Sequence, residues 1–234
     1  MKKIIAVSLI IIGLLLVGYQ LGSDYLFKQS QKTEYIKEIT AEDMAQNEKK
    51  EVVNDYEAIT NIDALDSYKM IDREFPEFVI AQLIIPSMQR NLAVSKGVNV
   101  ENLWVGVATM KLEQKLGEGN YTISGHNHRI EGSLFHGLEH LGIGEDIYIT
   151  DKVNIYHYRT YANLTTEPDA FYLLDDEIAK EHGKPILSLM TCARPISEDK
   201  RIFIQAEFIN KFEYTPELFD SLYSGDAKLK NINP

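Results

Sequence analysis

The feature that most constrains this chain is an uncharged apolar run close to its start. Lys2 and Lys3 follow Met1, and the 19 residues from Ile4 to Gly22 contain no charged side chain. As an α-helix, such a run spans about 28 Å, close to the roughly 30 Å hydrocarbon thickness of a bilayer. The sequence therefore predicts a membrane anchor over residues 1–22, and the two lysines favour a cytoplasmic N-terminus with the rest outside.

A cleaved signal peptide is the alternative interpretation of this run. It is disfavoured because no convincing small-residue cleavage site lies near residues 18–24, and because the run is long for a signal core.

The net charge of the whole chain limits the kinds of partner that it can bind. Its 234 residues carry a formal net charge of −11, which argues against nucleic acid as a partner, since little would neutralise the phosphates.

The rest of the chain divides into three segments by composition. Residues 23–74 are rich in Glu, Lys, Asp and Gln and contain neither Pro nor Gly, which predicts a charged stalk with helical tendency that acts as a spacer. Residues 75–210 form the candidate globular domain. Residues 211–234 are a polar tail without a second apolar span.

The candidate domain consists of eight short β-branched or aromatic runs separated by turn sequences. This pattern of short apolar runs and turns predicts an all-β sandwich or closed barrel rather than alternating β/α units. One of the runs, Leu103–Met110, contains the only tryptophan. Two short helical segments are also expected, at 132–141 and 173–182.

Cys192 is the only cysteine, so it cannot form a disulfide within its own chain. The remaining choices are an inert buried thiol, an intermolecular bridge or a reactive nucleophile. It ends an apolar run that follows Pro185 and reads as a strand. A thiol with an ordinary pKa near 8.5 is only about 3% ionised at pH 7, so a nucleophile would need positive charge nearby. Arg194, Lys200 and Arg201 offer it, and a hairpin through 193–200 would return Arg201 beside Cys192.

A nucleophilic cysteine also needs a group that handles the proton of the leaving amine. Of the six histidines, His126 has the most telling setting, since it ends an apolar strand directly after Gly125. A purely structural histidine is the alternative. So is a zinc site, for which the candidate ligands are His126, His128, His136 and His140.

Taken together, these motifs resemble the sortases, the membrane-anchored cysteine transpeptidases of Gram-positive surfaces, and most of all class A. The family signature Thr-Leu-x-Thr-Cys reads "SLMTC" here, from Ser188 to Cys192, with Ser188 in place of the usual threonine. The family histidine corresponds to His126 in "SGH", and the family arginine to Arg201. Further matching stretches are "IIPSM", "LWVGVATMKLEQKLGEGNYTISGHN" and "SLFHGLEHLGIGEDIYI".

The resemblance implies a closed eight-stranded sortase-type β-barrel with short helices, in which His126, Cys192 and Arg201 are catalytic. It implies cleavage of the Thr–Gly bond in a Leu-Pro-x-Thr-Gly sorting signal and transfer of the surface protein to the amine of a peptidoglycan precursor, lipid II. The expected location is the outer face of the membrane. The expected substrate-binding residues are Ser124, Leu189, Met190 and Thr191, with the loop 165–184.

No cofactor is expected. The acidic cluster that binds calcium in some class A members has no clear match in "ATMKLEQKLGEG", so calcium dependence is not predicted. The absence of a C-terminal span favours class A over many class C members.

One alternative function is that of a membrane-tethered binding module with an inert, buried Cys192. A hydrolytic peptidase of the papain-like kind is disfavoured, because such enzymes generally place the cysteine before the histidine.

Overall fold

The computed structural model describes residues 2–30, 34–56, 78–128, 130–193 and 200–226. The first element is helix α1 (Lys2–Ser30). Its segment Lys2–Tyr25 is long and apolar enough to cross a membrane, with a mean hydropathy of 2.5. The predicted apolar helix is confirmed as a candidate membrane span, and α1 continues eight residues past the predicted boundary at Gly22. It belongs to one compact unit, and the described residues from Glu34 onward belong to another.

The second unit is built on a closed β-barrel of eight strands, so the predicted all-β fold is confirmed. The strands are β1 (Val79–Ile85), β2 (Arg90–Ser95), β3 (Val107–Thr109), β4 (Asn120–Ser124), β5 (Asp146–Thr150), β6 (Asn154–Thr166), β7 (Ile186–Cys192) and β8 (Arg201–Glu213). Around the barrel they follow the order β1-β2-β3-β4-β7-β8-β6-β5. Closure leaves no open sheet edge, which protects the strands from pairing with other chains.

Burial on both faces explains the continuous apolar runs of several strands. All seven residues of β1 are buried, and in β7 only Cys192 is not. One face of each strand points into the barrel, and helices or loops cover part of the other. β-Branched residues suit such a surface because they pack well on a pleated sheet.

The strand directions bring three chain segments to one end of the barrel. Strand β4 runs parallel to β7, and β8 runs antiparallel to β7. The C-terminal ends of β4 and β7 therefore lie beside the N-terminal end of β8. This end of the barrel is called the upper end below.

Within the residues that the structure describes, four short helices accompany the barrel. They are α2 (Ala41–Glu48), α3 (Val100–Val105), α4 (Asp176–His182) and α5 (Pro216–Ser224). There are also 3₁₀ turns at Glu34–Lys37, Pro86–Met88, Leu138–His140 and Phe171–Leu174. The helical segment expected at 173–182 is present as the last of these turns followed by α4.

Two local predictions were wrong. The run Leu103–Met110 is not one strand, because α3 occupies its start and β3 begins at Val107. The side chain of Asn99 caps α3 by accepting a hydrogen bond from the Asn102 backbone, a signal within the sequence. The segment 132–141 contains only a 3₁₀ turn, because Gly132 and Gly137 have positive φ and interrupt any helix there.

Much of the segment predicted to be a solvated stalk packs on the barrel. Tyr35, Ile36 and Met44 are buried with Val79 and Ala93 in one apolar cluster. This packing gives residues 34–56 a structural part in the barrel unit, whereas residues 57–77 of the predicted stalk lie outside the described residues. The tail also contributes, because Phe219 and Leu222 of α5 pack against β1, β5 and β6. The domain boundaries otherwise stay predictions.

Candidate active site

Cys192 and Arg201 lie opposite each other at the upper end of the barrel. Cys192 is the last residue of β7 and pairs directly with Arg201, the first residue of β8. Directly opposed residues of a β-pair project from the same face of the sheet, with Cβ atoms about 4.5–5.5 Å apart. Cys192 is partly exposed, whereas the binding-module alternative assumes a buried cysteine.

The loop that carries His126 is fastened to β7 on both sides of the histidine. On one side, the Gly125 N–H donates to the Met190 carbonyl at 3.1 Å, and the Thr191 hydroxyl donates to the Gly125 carbonyl at 2.7 Å. On the other side, Asn127 Nδ2 donates to the carbonyl of Cys192 at 3.0 Å. The backbone at His126 is thereby held beside the strand that ends in Cys192.

Gly125 makes this close approach possible. A Cβ atom at this position would lie 2.7 Å from Val107 Cγ1 and 2.8 Å from Phe135 Cδ2, which is closer than such atoms pack. The Phe135 ring is fully buried, and the Phe135 N–H donates to the His126 carbonyl at 3.1 Å. Close packing against Val107 and Phe135 thus explains why a glycine precedes His126.

The cations proposed from sequence differ in their surroundings. The Lys200 ammonium forms an ion pair with the Glu167 carboxylate. The Arg201 guanidinium donates through Nη1 to the Lys200 carbonyl at 3.1 Å. Arg194 lies outside the described residues. Among the described cations, the one whose backbone position is fixed directly opposite Cys192 is Arg201.

A row of apolar side chains continues from Cys192 along the same outer face of the barrel. The next pair along β7 and β8 is Met190 and Phe203, and both are buried in a cluster with Leu173 of the β6–β7 segment. Residues from β3 and α3 complete this cluster. The β6–β7 segment therefore packs, through Leu173, against the face of β7 and β8 that leads to Cys192.

Comparison with known proteins identifies the family. A sortase domain model matches residues 83–209. Sortase A of Listeria monocytogenes is 30% identical over 218 residues, which cover 93% of this chain and 96% of that protein. Sortase A of Bacillus anthracis is 28% identical over 208 residues, 88% of this chain and 94% of the relative. The crystal structure of the Listeria enzyme superimposes with a TM-score of 0.57 at 30% identity, over 62% of this chain and 97% of that one.

This chain belongs to the sortase family. As a sortase, it is a transpeptidase of the kind that anchors surface proteins to the cell wall. The family match spans β1 to β8, so it includes every element that carries Cys192, His126 and Arg201. The catalytic roles of these three residues stay predictions.

The sortase barrel separates the four predicted substrate-binding residues into two pairs. Ser124 pairs with Met190 across β4 and β7, so both share the face of Cys192. The alternation along β7 directs Leu189 and Thr191 to the opposite face, toward the barrel interior. The Thr191 hydroxyl is engaged with the Gly125 carbonyl. The two pairs therefore have different surroundings, and a part in substrate binding stays a prediction for all four.

Three residues near the site of this sortase were not singled out from the sequence, although one of them, Glu167, lies in the expected loop 165–184. Asn127 bonds to the Cys192 carbonyl and also to Glu139 Oε2, at 3.3 Å, and Glu167 pairs with Lys200. The only sequence signal for Asn127 is its position directly after His126. Glu139 and Glu167 carry no signal, because their proximity depends on loops that the barrel topology brings together.

The described histidines are arranged differently from the ligands of a zinc site. His128 Nδ1 accepts a hydrogen bond from the Ile130 N–H, and the His128 carbonyl lies 2.6 Å from His136 Nδ1. Within the described ranges, no group of three His, Cys, Asp or Glu side chains is arranged to hold a metal ion.

A large cavity of about 990 Å³ lies at the opposite end of the barrel. It is bounded by α2 and the loop 111–119, and Met44, Tyr121 and Tyr156 contribute to its lining. Tyr121 lies near the start of β4 and Tyr156 near the start of β6, whereas Cys192 ends β7. This cavity is therefore separate from the candidate active site.

Proposed function

We propose that this sortase is a class A-type cysteine transpeptidase that cleaves the Thr–Gly bond of Leu-Pro-x-Thr-Gly sorting signals. The observation that carries the proposal is the convergence at the upper end of the barrel. Cys192 pairs with Arg201 across β7 and β8, and bonds from Gly125 and Asn127 to β7 flank His126. A thiol, an imidazole and a guanidinium at one site can serve as the nucleophile, the acid and base, and the oxyanion donor of acyl transfer to sulfur.

In the first half-reaction, the Cys192 thiolate attacks the threonine carbonyl carbon and a C–S bond forms. The electron pair of the C=O bond moves to oxygen, and the Arg201 guanidinium donates hydrogen bonds to that developing oxyanion. Such a donor typically contributes about 10²–10³ in rate. The intermediate collapses, the C–N bond breaks, and His126 gives its proton to the departing glycine amine. The product is a thioester on Cys192.

In the second half-reaction, an amine of the cell-wall precursor attacks the thioester carbonyl. His126 accepts the proton of the incoming amine, the new C–N bond forms and the C–S bond breaks. Cys192 leaves as thiolate, so the enzyme is regenerated. We take lipid II as the amine donor, because an anchor such as α1 would hold the enzyme beside a lipid-linked substrate.

The same proposal covers location and orientation. Lys2 and Lys3 precede the apolar part of α1, which favours a cytoplasmic N-terminus and a barrel on the outer face of a Gram-positive membrane. In functional terms, this sortase would be a thiol peptidase of the hydrolase class whose acyl acceptor is normally an amine rather than water.

We also propose that activity requires no calcium. This is supported by the Lys111 ammonium, which donates to Asp176 Oδ1 at 2.7 Å. It supplies a cation of the chain itself between the loop 111–119 and α4. Turnover in chelator should therefore equal turnover with added calcium.

The test uses the full chain in detergent micelles with a fluorescent Leu-Pro-x-Thr-Gly peptide and hydroxylamine as the amine. Formation of the threonine hydroxamate is expected for the wild type and absent in Cys192→Ala. His126→Ala should lower the rate by at least 100-fold, since protonation of the leaving amine contributes about 10²–10⁴. Mass spectrometry should detect the acyl-enzyme on Cys192 when no amine is added.

The proposal fails if Cys192→Ala forms hydroxamate at the wild-type rate, or if His126→Ala remains near wild type. The acceptor is tested separately with a lipid II analogue. A peptide with the Leu-Pro-x-Thr-Gly residues in scrambled order controls for unspecific hydrolysis.

A further inference from the structure

The side chain of Asn127 forms a hydrogen bond with the backbone of the nucleophile. Its Nδ2 atom donates to the Cys192 carbonyl at 3.0 Å and to Glu139 Oε2 at 3.3 Å. Both partners are acceptors only, so the orientation of the amide follows from its surroundings: nitrogen, with its two hydrogens, must face them. Asn127 is 9% exposed, so these bonds are largely shielded from water and are costly to leave unmade.

Glu139 is itself held in place. Its side chain is 12% exposed, and it lies in the 3₁₀ turn Leu138–His140. Asn163 of β6 donates through Nδ2 to the carbonyls of Glu139 and Leu141, at 2.9 and 3.0 Å. The network therefore runs from a barrel strand through Glu139 to Asn127 and ends on Cys192.

This network bears on the distance between the His126 imidazole and the Cys192 thiol, on which the proposed chemistry depends. His126 lies between Gly125 and Asn127, and both neighbours are bonded to β7. The Asn127 bond attaches the loop to β7 on the side of His126 that the Gly125 bonds do not reach. Active sites need their reacting groups held to about 0.5 Å, and a shift of 1 Å can cost 10²-fold in rate.

We propose that Asn127 is a positioning residue of this transpeptidase, oriented by Glu139, that fixes the His126 loop against the end of β7 at Cys192. This inference rests on the proposed roles of His126 and Cys192. Asn127 acts through these two residues and makes no bond to substrate. Its effect should appear in the chemical steps and leave peptide binding unchanged.

The experiment measures kcat and KM of the full chain in micelles, with the sorting-signal peptide and hydroxylamine. Asn127→Ala is expected to lower kcat by about 10- to 100-fold, with KM within threefold of wild type. Asn127→Asp should lose at least as much, because it sets a carboxylate against a carbonyl and a second carboxylate. Asn91→Ala is the matched control: Asn91 of β2 bonds through its amide oxygen to Gln82 at 2.7 Å and should turn over within twofold of wild type.

Glu139 provides a test that does not alter Asn127. Glu139→Gln keeps a side-chain oxygen that accepts from Asn127 and should retain at least half of kcat, whereas Glu139→Ala should lose about tenfold or more. In the double variant Asn127→Ala/Glu139→Ala, the two losses should not multiply, because both remove the same connection. This pair also decides the matter if Asn127→Ala fails to fold.

The inference would be overturned by a kcat within twofold of wild type in both Asn127→Ala and Glu139→Ala, or by a loss that appears only in KM. Equal losses in Glu139→Gln and Glu139→Ala would also contradict it. The proposed function has a separate criterion. If Cys192→Ala abolishes turnover while Asn127→Ala does not affect it, the positioning role alone is wrong; if Cys192→Ala remains active, the proposed chemistry is wrong.

Discussion

Cys192 closes β7 directly opposite Arg201, the residue that opens β8. Arg201 is also paired on its other side, with Thr166 of β6. The guanidinium therefore projects from a backbone position that two neighbouring strands fix. Register errors are costly here, since a slip by one residue would turn every side chain of β8 to the other face.

This register leads to a prediction about the two neighbouring cations. Arg201→Ala should lower kcat by about 10²–10³, the usual cost of losing a donor to an oxyanion. Arg201→Lys should recover little, because an ammonium cannot reproduce the planar fork of a guanidinium. Steady-state kinetics with the sorting-signal peptide measures both effects.

Lys200→Ala is the matched control, because Lys200 pairs with Glu167 of the β6–β7 segment. It should change kcat by less than about threefold, as an exposed ion pair contributes little. If Lys200→Ala lost more activity than Arg201→Ala, the proposal that Arg201 donates to the oxyanion would be wrong.

Gly125 gives a prediction about packing beneath the histidine loop. Gly125→Ala would place a Cβ atom 2.7 Å from Val107 and 2.8 Å from Phe135, so the loop or the Phe135 ring must move. The expected cost is about 1–3 kcal/mol in the free energy of unfolding, typical of overpacking, with a lower kcat from the displaced His126. Urea unfolding and turnover are the measurements.

Gly142→Ala is the control for this substitution, because its nearest neighbour would be Glu145 at an ordinary 3.6 Å. It should unfold within about 0.5 kcal/mol of wild type, as surface substitutions usually do. If Gly125→Ala is equally mild, the steric reason given for this glycine is wrong.

The sequence predicted best where a pattern is local and repeated. The uncharged run after Lys3 predicted α1, and the apolar runs before Cys192 and after Lys200 predicted β7 and β8. Together with the family motifs, these runs were enough to propose that Cys192 and Arg201 meet. Their exact pairing follows from a hairpin, which is a short-range feature.

What the sequence could not predict depends on contacts between distant segments. Asn127 and Glu139 meet only because the loops after β4 and before β5 fold over the same end of the barrel. Residues 34–56 have the composition of a solvated spacer, and their three buried apolar side chains are too few to stand out among the charged ones. Periodicity detects a face of a helix or strand, but not the surface against which a short segment packs.

The packing of this segment gives a third prediction. Met44 of α2 is 1% exposed and packs with Ile36 and Val79. Met44→Ala should lower the free energy of unfolding by about 2–4 kcal/mol, as expected for a cavity in an apolar core. Gln46→Ala, at an exposed position of the same helix, should leave it within about 0.5 kcal/mol. A spacer without a structural part would give equal, small changes for both substitutions in urea unfolding.

The last prediction concerns acid and the contact between α4 and β4. Asp176 Oδ1 accepts from the Lys111 ammonium at 2.7 Å and from the Asn120 N–H at 2.8 Å. These bonds, the Lys111 one first, lower the pKa of Asp176 below its ordinary value. A carboxyl whose pKa is lowered by folding stabilises the fold above its ordinary pKa of about 4, and that contribution is lost as the pH falls through the folded-state pKa.

Asp176→Asn keeps an oxygen for the Asn120 N–H but removes the charge that faces Lys111. At pH 6 this variant should unfold at a lower urea concentration than the wild type. The difference should be only about 0.2–1 kcal/mol, because the pair is half-exposed and screened by solvent. At pH 3 the difference should shrink, because this pH lies below the ordinary pKa of the carboxyl, so the unfolded wild-type chain binds a proton that folding must release. Glu177→Gln on the same helix, whose exposed carboxylate pairs with Lys180 at 2.8 Å, serves as control. A difference between Asp176→Asn and wild type that is as large at pH 3 as at pH 6 would mean that the charge of Asp176 does not stabilise this contact.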